Sequence, residues 1–454
     1  MKTIFLVIGN GLITRNILRS GVLSLLKEAN FRIIVFFPQA RTEVPQYLRD
    51  EFERDSVIIE GLPDTNARGR YLLSRLSRFL ILSKSGWVYN QKRDLQRSFF
   101  WKYLNLMAAI TLSRFFFLKR LARVIDRRFF TSNAYAHYFE RYNPVLVFST
   151  SIISKFDQFM MKEAHKRGVK TVSMPKGWDN ITKQFYLYIP DRIIVQNVPM
   201  KQSMVKKQGI GGEKITVCGF PQFDWYKRPE ILETREKYCE SMGIDPAKKI
   251  IFFGSEGIWA PDDEHVVSLL AQWVRNPSCL AHEANLVIRP HFSDVKKGRF
   301  DQYKQLNDVA VDDDFTLSDF FMTNWDPQLS DIKKLTNLLY HSDVVITVAS
   351  TITLDAVCFD KPVINVGFSV IHHPRSRKDL SHLLYETDHY QWVLKTGGID
   401  IARSEEELLS YINEYLKNPA RKSDERKKLV DELCFRVDGR SSERTADVIK
   451  EMVA

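Results

Sequence analysis

Hydrophobic and polar positions alternate along this chain in blocks. Short runs of β-branched and aromatic residues are each followed by a polar turn and then by a stretch whose apolar residues recur at helical spacing. The run DVVITV at 343–348 has no polar face, the pattern of a strand buried on both sides in a parallel sheet. Ala349-Ser350-Thr351 turns the chain, 353–357 reads as a helix, Lys361-Pro362 stops it, and 363–366 opens another strand. The same pattern predicts strands over 3–8, 31–37, 144–150, 169–173, 191–195, 214–219, 249–254 and 285–288. Helices fill the intervals, notably 156–167, 198–208, 230–243, 262–275 and 405–417. Strand-helix-strand repetition of this kind builds α/β folds with parallel sheets. The breakers at 219–224 and Asp245-Pro246 divide the chain into a half over 1–240 and a half over 245–435, followed by a terminal helix over 438–454.

Composition narrows the class. A chain of 454 residues exceeds one hydrophobic core, and 44% hydrophobic with 27% charged residues excludes a multi-span membrane protein. The run Ile4 to Ile8 ends in Gly-Asn-Gly, so it is expected as a first strand and not as an export signal. Five cysteines without CxxC spacing point to reduced thiols in cytoplasm, with neither a disulfide framework nor a zinc site.

The formal charge of +11 is concentrated. Between Arg68 and Arg128 the only acids are Asp94 and Asp126, among many Arg and Lys and the aromatic clusters Phe99-Phe100-Trp101 and Phe115-Phe116-Phe117. Residues 68–130 are therefore expected to form a basic helical insertion, lying either on an anionic membrane surface or against the sheet with a solvated basic face. The apolar piece 104–112 is too short to span a bilayer. No nucleic-acid recognition motif accompanies the charge, so nucleic acid is not an expected partner.

Candidate chemistry gathers where parallel strands end. Ser255-Glu256-Gly257, Arg289-Pro290-His291 and Ser350-Thr351 each follow a predicted strand of the second half, and ligands of open α/β sheets bind at that edge. Arg289 and His291 are cations or donors for phosphate, Ser350 and Thr351 add hydroxyls at a helix start, and Asp355 one turn later is placed for a ribose. Glu256 and Asp179 are the candidate bases for an acceptor hydroxyl. In the first half the loop 9–16 lacks GxGxxG, leaving Arg15 and Asn16 as anion or cleft residues, with Trp178 and Asn180 beside Asp179. No DxD pair stands at a strand end, so no metal is expected, and Asp312-Asp313-Asp314 reads as a surface loop.

With VIRPH at 287–291, SDVVITVASTITLDAVCFDKPVI at 342–364 and DGRSSERTADVI at 438–449, the chain resembles GT-B-fold glycosyltransferases of bacterial surface-polysaccharide pathways. GWDNIT at 177–182, PDRIIVQN and VCGFPQFD resemble a subgroup of these. The resemblance implies two Rossmann-like domains facing a central cleft. It also implies a nucleotide-sugar donor held mainly by the second domain at Arg289, His291, Ser350, Thr351 and Asp355, a glycan or lipid-linked acceptor on the first, and no cofactor or obligatory metal. Such an enzyme would work in the cytoplasm, peripheral at the inner face of the membrane. The chain also resembles CDP-glycerol glycerophosphotransferases, whose Asp-Tyr-Ser-Ser is here Val348-Ala349-Ser350-Thr351. GT-B sialyltransferases share an acidic-Gly motif and a serine motif with Glu256-Gly257 and Ser350-Thr351, which keeps a CMP-sugar donor open. Non-hydrolysing sugar 2-epimerases share the architecture.

Overall fold

The computed structural model describes residues 1–39, 43–65, 70–93, 99–295, 298–321, 324–369 and 380–454. Residues 68–69 and 94–98 of the expected basic segment lie outside the described residues.

The chain forms two compact units, one of residues 1–224, 319–322 and 440–454, the other of residues 225–318 and 323–439. The strands of the first are β1 (Thr3–Val7), β2 (Arg32–Gln39), β3 (Val57–Pro63), β4 (Leu146–Ser149), β5 (Lys170–Ser173), β6 (Arg192–Val195) and β7 (Ile215–Val217). They pair in the order β3-β2-β1-β4-β5-β6-β7, all parallel. The second unit carries β8 (Lys249–Gly254), β9 (Ala284–Arg289), β10 (Val309–Val311), β11 (Val344–Thr347), β12 (Val363–Val366) and β13 (Asp400–Ala402), in the order β10-β9-β8-β11-β12-β13. Both sheets reverse direction of strand order once, between β1 and β4 and between β8 and β11, as Rossmann-like sheets do.

Central strands are apolar on both faces because helices cover both sides. Ile251, Phe253, Ile288 and Ile346 are fully buried in one layer of the second unit, each worth roughly 2 kcal/mol of hydrophobic stabilisation. The first unit has a layer on each face, around Ile4, Leu6 and Ile33 and around Phe5, Phe36 and Phe159.

The helix Ser441–Val453, expected as a separate terminal element, completes the first unit. Ala446, Val448 and Ile449 join its core, and Asp224 accepts the backbone N–H groups of Ser441 and Ser442 at 2.9 and 2.7 Å. The helix Arg235–Met242, expected at the end of the first half, sits in the second unit. Arg235 there donates to the carbonyls of Lys248 at 2.6 Å and His341 at 2.9 Å, and Tyr238 stacks on His341. Chain breakers mark turns, and these long-range contacts decide which side of a turn a helix joins.

Between β3 and β4 the described chain is helical, over Arg70–Ser77, Lys84–Arg93, Phe99–Leu112, Phe116–Phe129 and Ala136–Tyr142. Among the described residues no helix is long and apolar enough to cross a membrane.

Candidate active site

Strands β9, β8 and β11 are neighbours and parallel, so the three loops singled out in the second half leave one edge of one sheet. The structure brings them together. Ser350 Oγ donates to Glu256 Oε1, linking the β11 and β8 loops. Gly257 has φ +62°, and a Cβ there would stand 3.0 Å from His291 Nδ1, so glycine lets the β8 loop lie against the β9 loop.

His291 is oriented by its own turn. The backbone N–H of Ser293 donates to Nδ1 at 3.3 Å, and Ser293 Oγ lies 2.7 Å from the same nitrogen. A backbone N–H can only donate, so Nδ1 is the acceptor and the proton of the neutral ring sits on Nε2.

Two residues that sequence reasoning missed hold Glu256 in place. Asp263, at the start of the helix Asp263–Val274, is fully enclosed and accepts from Ser255 Oγ at 2.6 Å and from the Glu256 backbone N–H at 3.2 Å. Burial pushes its carboxyl up to about 7, against the pull of the Ser255 hydrogen bond and of Arg299. Arg299 grips the loop by donating to the carbonyls of Gly257 at 3.2 Å, Ala260 at 3.1 Å and Pro261 at 3.2 Å, while pairing with Asp294 at 3.1 Å. A serine eight residues ahead of an aspartate at a helix start is a signal that would have found Asp263.

Other expected residues are engaged differently. Arg289 is buried, paired with Asp312 and covered by the Phe315 ring at 4.4 Å, so a phosphate would have to compete with that carboxylate. Asp312, expected on a surface loop, is buried because β10 pairs with β9 and ends beside Arg289; its N–H donates to Ile288 O at 2.8 Å. The helix after β11 runs Ile352–Val357, only six residues. Ser350 Oγ accepts its first N–H at 3.2 Å, and the Thr351 side chain, although exposed, makes no cap. Asp355, placed for a ribose, accepts a 2.6 Å hydrogen bond from the buried Tyr226 hydroxyl.

The remaining candidates lie on the first unit, after β1 and β5. Arg15 Nε donates to Asn16 Oδ1 at 2.9 Å, with Asn16 buried. Trp178 is buried, and Asp179 pairs with Lys183 while accepting from Asn180 Nδ2 at 2.9 Å. Burial lowers the Lys176 ammonium, partly offset by Asp179. Asp179 is thus flanked by the ammonium groups of Lys183 and Lys176.

A family model described as CDP-Glycerol:Poly(glycerophosphate) glycerophosphotransferase matches residues 165–451. No curated protein sequence matches the chain. Among solved structures, a glycosyltransferase from Rickettsia africae is similar at 13% identity and a TM-score of 0.52, covering 100% of this chain and 98% of that one. A putative UDP-N-acetylglucosamine 2-epimerase from Listeria monocytogenes is similar at 12% identity and a TM-score of 0.57, covering 99% and 96%. The wall teichoic acid polymerase TagF is similar at 12% identity and a TM-score of 0.52, covering 100% and 88%. At these identities the likeness establishes the GT-B type of fold.

Proposed function

The chain belongs to the CDP-glycerol:poly(glycerophosphate) glycerophosphotransferase family and is a transferase, and we propose that it moves a nucleotide-activated group onto a hydroxyl of a glycan or lipid-linked surface polymer. The observation that carries this reading is the joined edge of β9, β8 and β11, where Glu256, Ser350 and His291 meet. Glu256 is the base: the acceptor hydroxyl gives it a proton as the oxygen forms its new bond, and the bond to the nucleotide phosphate breaks. His291, whose Nε2 carries the proton of the neutral ring, donates to the leaving phosphate, with no metal required. Ser350 aims the Glu256 carboxylate. Arg289 strengthens the phosphate site once its bond to Asp312 is exchanged for one to the donor.

Family membership favours glycerol phosphate as the group moved, with attack at the phosphorus that bears glycerol and departure of CMP. A sugar is the second reading, supported by Val348-Ala349-Ser350-Thr351 standing where the family carries Asp-Tyr-Ser-Ser. A CMP-sugar would leave the same nucleotide and a UDP-sugar a different one. The work is done in the cytoplasm at the inner face of the membrane, where such acceptors are presented.

Incubation with CDP-glycerol, CMP-sugars and UDP-sugars, reading the released nucleotide and the product mass, separates these readings. Turnover of CDP-glycerol that falls at least a hundredfold in His291→Ala, roughly the contribution of one acid–base group, with an unchanged melting temperature, is the expected result. Equal turnover in the variant overturns the site.

A further inference from the structure

The helix Phe116–Phe129 buries charged groups beside Ala122 and exposes apolar ones. Lys119, Ala122 and Asp126 are its buried residues, while Phe117, Leu121 and Val124 are 62%, 49% and 50% exposed. The exposed three lie at i, i+4 and i+7, which is one helical face. This orientation is fixed from below. Lys119 Nζ donates to Lys207 O at 2.9 Å, Arg123 donates to Tyr186 O at 3.0 Å and Gln208 O at 2.6 Å, and the buried Asp126 pairs with Arg70 at 3.0 Å and Lys162 at 2.6 Å. Turning the helix to hide its apolar face would strand those charges, so the apolar face stays outward.

Neighbouring helices repeat the pattern. Phe100, Tyr103, Leu104 and Met107 form an exposed stripe on Phe99–Leu112, and Tyr71, Leu72 and Leu76 are exposed on Arg70–Ser77. Most of the large apolar side chains exposed on the described residues lie between Tyr71 and Phe129. Interleaved with them are the exposed cations Arg75, Lys84, Arg114, Arg120, Arg127 and Arg128. The one acid among the described residues 70–130, Asp126, is buried in its ion pairs.

We infer that these outward faces dock on an anionic lipid bilayer, with Phe117, Leu121 and Val124 at the acyl boundary and the arginines on headgroup phosphates. Two other occupants fit less well. A second copy meeting face to face would set the same arginines against each other with no acid between them. Nucleic acid offers phosphates but no apolar layer for Phe100, Leu104 and Met107. Since no described helix can cross a bilayer, the helices lie in the plane of the surface. This surface is independent of the transfer reading and needs no donor to be tested.

The test is flotation of the full chain with phosphatidylcholine vesicles, with and without phosphatidylglycerol. The expected result is partition onto the anionic vesicles only, reversed by salt. Arg120→Gln/Arg127→Gln/Arg128→Gln should lower that partition about a hundredfold, at roughly fivefold per charge. Phe117→Ser/Leu121→Ser/Val124→Ser should abolish it, with both variants melting as the parent does, because the changed side chains are exposed. Absence of the parent from the anionic vesicles, or parental partition in both variants, overturns the proposal. So does self-association of the parent that the serine variant relieves, which would assign the face to a second copy.

Discussion

Two loops, one in each unit, are pinned in the same way and differ in what they hold. In the first unit Ser149 ends β4, and the buried Asp157 accepts from Ser149 Oγ at 2.8 Å and from the N–H groups of Thr150 and Ser151 at 3.1 and 3.2 Å. In the second, Ser255 follows β8, and Asp263 accepts from Ser255 Oγ and the Glu256 N–H. The spacing from serine to aspartate is the same, and burial pushes both carboxyls up to about 7. What differs is the middle residue. Thr150 is buried and its hydroxyl donates to the Val7 carbonyl, closing the loop into the core. Glu256 is only half-buried and reaches the Ser350 hydroxyl on the next strand's loop. One pinned turn closes into the core and the other presents an acid at the sheet edge, so the pin itself is scaffolding and the two turns differ at a single position.

The largest expected consequence is at that position. Glu256→Gln keeps an acceptor for Ser350 but no base, and turnover is expected to fall between about a hundredfold and ten-thousandfold with the melting temperature unchanged. Thr150→Val, its counterpart, should leave turnover intact and cost about 1 kcal/mol of stability for the lost buried hydrogen bond. Chemical denaturation and steady-state rates measured on both variants would show whether the division of labour is real.

Next in size is a pH effect common to both pins. Because the folded-state pKa of each aspartate is raised from 3.8 to about 7, the folded chain holds these protons more tightly than the unfolded one. Their stabilisation is fully present below about pH 4 and is lost as pH rises through 7, on the order of 4 kcal/mol for each group. Asp157→Asn and Asp263→Asn imitate the protonated acid, so each is expected to flatten the decline in stability between pH 4 and 7. Equal slopes in parent and variants would show that the carboxylates are charged throughout.

The smallest effect concerns the link between loops. Ser350→Ala removes the hydroxyl that aims Glu256, and a hydrogen bond to a charged group of this kind is worth roughly tenfold in rate. Turnover should fall by that factor without a change in donor affinity. A loss confined to donor affinity would reassign Ser350 to phosphate binding.

Much of this architecture was legible in the sequence, for a physical reason. Interior strands of a parallel sheet are apolar on both faces, so β1, β8 and β11 stand out as unbroken runs. The strands that the pattern does not predict, β3, β10 and β13, all lie at sheet edges, where the runs are short or half-exposed. The loops of the site were legible for the same reason, since they follow interior strands. Their internal bonding was not. Arg289 looks like a phosphate ligand until Asp312 is brought beside it by an edge strand, and Asp355 looks available until Tyr226 reaches it across 129 residues of chain.

The helix Ser441–Val453 has a consequence for how the molecule is made. Its apolar residues fill the first unit's core, next to Val22 and Leu26, although the whole second unit is encoded in between. A nascent chain emerging from the ribosome must therefore wait with that core unsealed until the whole second unit has been translated. Chains cut short before this helix would leave the lobe open, with the apolar surface that Ala446, Val448 and Ile449 cover exposed to aggregation.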